Sequence, residues 1–145
     1  MSAKLTIYVA RHGKTLMNTL DKVQGWCDSP LTHEGIEVAR YLGYGLSDIE
    51  FRTAYCSDLR RTRQTVQIIL VAKGPDDIPV IELAGLRQAC FGSFEAALNH
   101  QMWHSAAPYL HYTSLDALYP DILAETISYC DVLDSVQTLD HPVLS

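Results

Sequence analysis

The sequence predicts an α/β domain of three layers, α/β/α, built on a mainly parallel sheet. Three observations predict it. Leu5, Ile7 and Val9 alternate with Thr6 and Tyr8 until polar residues begin at Arg11, the period of a first strand ending at Ala10. Behind Thr32, a good N-cap, Ile36, Ala39, Leu42 and Leu46 recur at helical spacing. Short apolar runs then alternate with helical ones, and strands separated by helices pair in parallel because a parallel pair needs a crossover.

In chain order, residues 24–30 read as a loop, with Gly25, Asp28, Ser29 and Pro30. Phe51 to Cys56 reads as a second strand. Ser57 is expected to cap a helix carrying Val66, Ile69 and Leu70, which stops near Gly74. Pro79 to Leu83 is a third short strand. A helix is expected over 96–106, then a loop holding Pro108 and Pro120. A second helical pattern runs from Asp121 to about Leu139 through Ile122, Ile127, Cys130, Val132 and Val136. Pro142 interrupts it, and the strand that an α/β chain would place next does not follow.

The 145 residues suit a single domain spanning 1–145. With 48% apolar and 19% charged residues, the balance is that of a globular chain rather than a disordered or fibrous one. A net charge of -6 argues against general nucleic-acid binding, which needs cations to replace phosphate counterions, yet leaves room for a local basic pocket. The four cysteines form no CxxC pair and read as reduced thiols. Nothing near the N-terminus resembles a leader, and no apolar stretch approaches the ~18 residues of a membrane span, so a cytoplasmic protein without membrane contact is expected.

The chemistry concentrates in Arg11-His12-Gly13-Lys14-Thr15, directly after the first strand, where ligands sit in open α/β sheets. Arginine offers a fixed fork of donors for phosphate, an imidazole is a nucleophile toward phosphorus, and glycine lets the backbone approach a ligand. Arg11-His12-Gly13 with Thr15 and Asn18, Gln24-Gly25-Trp26 with Asp28 and Pro30-Leu31-Thr32, and Ser57-Asp58-Leu59 with Arg61, Gln64 and Thr65 occur in that order. Leu86, Phe91-Gly92 and Glu95 follow, with a fainter Ala124-Glu125-Thr126. These ordered motifs resemble the histidine phosphatase superfamily, which includes cofactor-dependent phosphoglycerate mutase.

The resemblance implies a phosphoryl-transfer site needing neither metal nor cofactor. His12 would attack phosphorus in line and become a phosphohistidine, and Arg11, Arg61 and Asn18 would cradle the phosphoryl oxygens. Gln24 and Gly25 would line the substrate side. Two departures stand out. The family places a carboxylic acid two residues after the leucine of the fourth motif, but Leu86-Arg87 is followed by Gln88. An amide can bind substrate yet releases no proton, and losing a general acid costs about 10²–10⁴-fold in rate. Glu95 is the substitute to weigh. The family's second histidine, in a strand ending in HG, has no counterpart, since His141 precedes Pro142. The family's last strand and helix are absent too, as in a truncated chain or a degenerate relative.

The leading reading is a phosphohistidine-forming phosphatase for a small phosphomonoester. The alternatives are phosphoglycerate mutase, or an impaired phospho-ligand binding or regulatory module. The partner expected is a small phosphorylated metabolite, with homo-oligomerisation left open. His100 and His104 stand at i, i+4, but Gln101 occupies the place of a zinc-protease glutamate, so a surface pair is expected. Trp26 and Trp103 are expected to pack, Arg60 and Arg63 to face solvent, and Cys27 and Cys56 to be structural. Tyr109, Tyr112 and Tyr119 line a pocket or pack.

Overall fold

The computed structural model describes residues 4–124. Its first helix, α1 (Leu16–Thr19), falls where the sequence predicts none. It exists because Thr15 and Asn18 form a reciprocal box. The Asn18 amide donates to the Thr15 hydroxyl (3.2 Å), and the Thr15 amide donates to Asn18 Oδ1 (3.0 Å). Helix α2 (His33–Gly45) starts as predicted, with the Thr32 hydroxyl accepting from the Gly35 amide (3.1 Å). Its buried Gly35, Ala39 and Gly43 recur every four residues and form a narrow face. That face meets α3 (Arg60–Lys73) so closely that a Cβ on Gly43 would lie 2.4 Å from the Ile69 carbonyl oxygen.

The start of α3 departs from expectation. Leu59, not Ser57, is at the N-cap and offers no side-chain acceptor, while the Ser57 hydroxyl is bound to that of Thr62 (2.8 Å). The first amide of the helix, that of Arg60, donates instead to Asp28, far away in sequence. Arg61, Thr65, Ile69 and Lys73 form the buried stripe of α3. Lys73 keeps its ammonium paired with Asp76 and over the Phe51 ring (5.9 Å to the centroid). The helix ends at Gly74 as predicted, with φ of 141°, a conformation side chains disfavour.

α3 is the crossover between β1 (Ala54–Cys56) and β2 (Val80–Glu82), which pair in parallel, Ala54 beside Val80 and Cys56 beside Glu82. The α/β class therefore stands, with each strand shorter than its predicted run. The strand expected over Leu5–Ala10 does not form among the described residues. Leu5, Ile7 and Val9 are 82%, 72% and 93% exposed. Alternation specifies two faces but not a ladder partner, and here Tyr8 meets the Phe51 ring edge-on (5.3 Å).

Beyond β2 come 3₁₀ turns at Ala84–Leu86 and Gly92–Phe94, then α4 (Asn99–Ala106). This helix starts later than predicted because Ala96 has φ of 65°. A further 3₁₀ turn (Ala107–Leu110) leads to α5 (Leu115–Leu123), which contains Pro120 where a loop was expected. Most of the helix predicted from Asp121 to Leu139 lies outside the described residues. Val23, Phe91, Met102 and Ala106 make a buried cluster, with Phe94 and Trp103 packed on it. Burying a Val, Phe or Met side chain is worth about 1.5–3 kcal/mol. The cluster anchors the chain just before the 24–28 loop, where Val23 exchanges backbone hydrogen bonds with Ala97 (2.9 Å) and Ala96 (3.0 Å).

Candidate functional site

His12 sits in a turn clamped from two sides. The Gly13 amide donates to the Thr65 hydroxyl (3.0 Å), which donates to the Arg61 carbonyl (2.7 Å), tying the turn to α3. Against α2, Gly13 and Gly35 touch backbone to backbone. A Cβ on Gly13 would lie 2.6 Å from Gly35 O, and one on Gly35 would lie 2.2 Å from Lys14 O. The imidazole is half-buried, and its Nδ1 donates to the Gly13 carbonyl (2.8 Å). A carbonyl only accepts, so Nδ1 carries the proton and Nε2 presents a lone pair.

Burial lowers the His12 pKa below 6.5, the Gly13 bond opposes this, the charges of Arg61 and Arg11 lower it further, and Asp28 raises it. Neutral imidazole therefore prevails at neutral pH. A cleft of about 250 Å³ opens here, lined by Arg11, His12, Lys14, Glu34, Thr65 and the apolar Val38, Ala39 and Leu42 of α2. A larger hollow of about 350 Å³ lies between Arg40 and Tyr44 of α2 and Gln67, Ile68, Val71 and Ala72 of α3, and contains no predicted site residue.

Arg11 is exposed, but Arg61 is only 1% exposed. The Arg61 guanidinium is folded onto the 25–28 loop. Nη2 donates to Gly25 O (2.8 Å), and Nη1 donates to Cys27 O (3.0 Å) and Asp28 Oδ1 (3.2 Å). Its Nε is buried and has no acceptor among the described residues. Asn18 and Gln24 meet around Thr15, whose hydroxyl lies 3.0 Å from Asn18 Oδ1 and 2.7 Å from Gln24 Oε1, while Gln24 Nε2 donates to Ser29 Oγ (3.1 Å).

Gln88 is exposed, and its carbonyl accepts from Trp26 Nε1 (3.1 Å). Contrary to expectation Trp26 does not pack in the core. It is 52% exposed, with the Arg87 guanidinium 5.0 Å from its ring centre and in turn paired with Asp58. Trp103, by contrast, packs as expected. The His100 and His104 rings lie 6.5 Å apart, and no group of three metal-ligating side chains occurs among the described residues.

Glu95 is the residue whose role the sequence leaves most open. Its carboxylate accepts from the amides of Gly25 (3.1 Å), Trp26 (2.8 Å), Cys27 (2.9 Å) and Phe91 (2.9 Å). Burial raises its pKa, but the Cys27 thiol and the amides of Phe91, Trp26 and Cys27 outweigh this and hold it below 4.5. A carboxylate held ionised in this way is a clasp, not a proton donor. Glu95→Gln removes a charge-assisted acceptor from four amides, and a loss of about 2–4 kcal/mol in urea unfolding is expected. Because the folded pKa is depressed, this contribution is present above the ordinary carboxylate range and fades as pH falls through it. The variant's stability should accordingly depend less on pH in that window. Cys27, pushed up to about 11 by burial and then by Glu95, stays a thiol, as does buried Cys56, raised by burial.

The family model for the histidine phosphatase superfamily (branch 1) matches residues 7–136. The chain is 34% identical over 89 residues to a 2,3-bisphosphoglycerate-dependent phosphoglycerate mutase 2 of Gloeobacter violaceus, covering 61% of this chain and 41% of that protein. A phosphoglycerate mutase structure from Bacillus anthracis superposes with a TM-score of 0.80 at 36% identity, covering 89% of this chain and 54% of that one. An alpha-ribazole phosphatase structure from Shigella flexneri superposes at 0.60 and 29% identity, covering 69% and 48%. The chain thus spans about half the length, or less, of these three relatives. No helix among the described residues is long and apolar enough to cross a membrane.

Proposed function

Because the chain belongs to the histidine phosphatase superfamily, we propose that it forms a phosphohistidine on His12 and acts as a phosphatase on a small phosphomonoester. The observation that carries this reading is the His12 ring. Its Nδ1 is committed to Gly13 O and its pKa is lowered, so Nε2 is a free base at neutral pH, beside the charges of Arg11 and Arg61. Nε2 attacks phosphorus as the bond to the leaving oxygen breaks, and that oxygen takes the electron pair and a proton from solvent, which the attacking water of the second step gives back. Water then attacks the phosphohistidine, breaking the P–N bond and releasing phosphate with His12 restored. Arg11 stabilises charge on the phosphoryl oxygens, and Arg61 adds its positive charge from behind His12. Asn18, Gln24 and Gln88 are the groups offered to the substrate, while Gly25, committed to Glu95 and Arg61, shapes the loop instead.

The relatives matched include both a mutase and a phosphatase. Hydrolysis is favoured here because moving a phosphoryl group within a substrate needs a controlled acid. Gln88 has no proton to give, and Glu95 is held ionised. The same two residues support a second reading, a module that binds a phospho-ligand without turning it over. Acid-labile, base-stable phosphate on His12 after rapid quenching with p-nitrophenyl phosphate, located by mass spectrometry, is the expected result. Binding of the ester with no covalent phosphate would instead favour the module.

A further inference from the structure

Asp28 joins three parts of the site through one carboxylate. Oδ2 accepts the first amide of α3, that of Arg60, at a helix end where Leu59 offers no cap. Oδ1 accepts from Arg61 Nη1 (3.2 Å) and from the Ser29 amide (3.0 Å). The Asp28 side chain is 23% exposed and that of Arg61 is 2%, so the pair is largely shielded from water. With Gly25 O and Cys27 O, Asp28 closes around both terminal nitrogens of the guanidinium and leaves only Nε uncommitted. A cap alone would need one oxygen, and an isolated ion pair would not need the helix amide. A carboxylate divided between both locks the rotation of Arg61 to the start of its own helix. From Thr65, one turn further along α3, the hydroxyl then holds the Gly13 amide, so His12 and Arg61 share a frame that Asp28 fixes at one end.

We propose that Asp28 is a positioning residue, setting the Arg61 guanidinium and the first turn of α3 in register with His12 while touching no substrate itself. The inference rests on the reading of His12 as the nucleophile. The charged groups facing His12 are Arg11 on its own segment, Arg61 on α3, Asp28 on the 25–28 loop, and the Lys14–Glu34 pair (2.7 Å) at the cleft. Of these, Asp28 supplies the negative charge that opposes the arginines.

The test uses the full chain with Asp28→Asn and Asp28→Ser, which both keep an acceptor for the Arg60 amide, and Asp28→Glu, which keeps the charge. The His12 imidazole is titrated by NMR in each protein, and turnover of p-nitrophenyl phosphate is measured alongside. In Asp28→Asn and Asp28→Ser the His12 midpoint is expected to fall, and kcat/KM to drop about tenfold or more, since small misplacements of catalytic groups cost up to about 10²-fold. Asp28→Glu is expected to restore the midpoint. An unchanged His12 midpoint in a folded Asp28→Asn or Asp28→Ser protein overturns the inference whatever the turnover does. Wild-type protein that neither turns over nor forms phosphohistidine overturns the nucleophile reading, while the titration still decides whether Asp28 sets the field at His12.

Discussion

Replacing His12 by alanine is expected to abolish phosphate release, with a fall of about 10³-fold or more in kcat, because no neighbouring group can take over the nucleophile's role. The Cys27 thiol, raised to about 11, is not a thiolate at neutral pH. Glu95 is bound by four amides, and Asp58 is engaged by Arg87, whose hydrogen bonds lower its pKa. Removing the imidazole leaves Arg11 and Arg61 in place, so affinity for inorganic phosphate should change far less than turnover. Steady-state release and phosphate titration by calorimetry on the same preparation separate the two effects. Turnover that persists in His12→Ala would sink the nucleophile assignment, and phosphate affinity that survives His12→Ala, with no turnover in the wild type, would point to the binding module.

Gly25→Ala, like Gly35→Ala, is expected to be strongly destabilising. The new Cβ would stand 2.2 Å from Ala89 O, 2.3 Å from Glu95 Oε1 and 2.7 Å from the Phe91 ring. Two of these are held in place, one as backbone and one by its four amide donors, so the loop itself must move. Gly25 does not adopt a positive φ, and the cost is therefore collision rather than backbone strain. Overpacking costs about 1–3 kcal/mol, and disturbing the Glu95 clasp adds to it. A drop of about 10 °C in Tm is expected for a chain of this size. Because Gly25 O is also an acceptor for Arg61, activity should fall even at temperatures where the variant remains folded. A Tm within a degree or two of wild type would contradict the tight packing around this loop.

What was legible in the sequence was local. Thr32 caps α2 and Gly74 stops α3 because each acts on backbone groups a few residues away. The parallel pairing of β1 and β2 followed from the helix between them. Ser57 looked like a cap by the same local logic, yet Thr62 took its hydroxyl and a remote aspartate supplied the acceptor. Leu5–Ala10 had the right alternation, but alternation carries no information about which edge it joins. At the site, the motifs singled out His12, Arg11 and Arg61, and the structure sets His12 and Arg11 on one cleft. They did not reveal that Arg61 is sealed against the 25–28 loop, that Trp26 lies outside the core, or that Glu95 is a clasp. Each of those depends on a partner more than thirty residues distant.

The Glu95 clasp also bears on the order in which this protein gains its structure. Its donors at Gly25 and its acceptor are 70 residues apart in sequence. Closing a loop of that length costs about 4 kcal/mol in chain entropy, which no single hydrogen bond recovers. The amide of Phe91 is local, but those of Gly25, Trp26 and Cys27 must engage the carboxylate as a group, once β1, α3 and β2 have brought the intervening chain together. Residues 25–27 are expected to gain protection late and to lose it as one unit, which pulse-labelled hydrogen exchange would read out. By that reasoning the loop that grips Arg61 should be the last part of the site to become rigid and the first to be released.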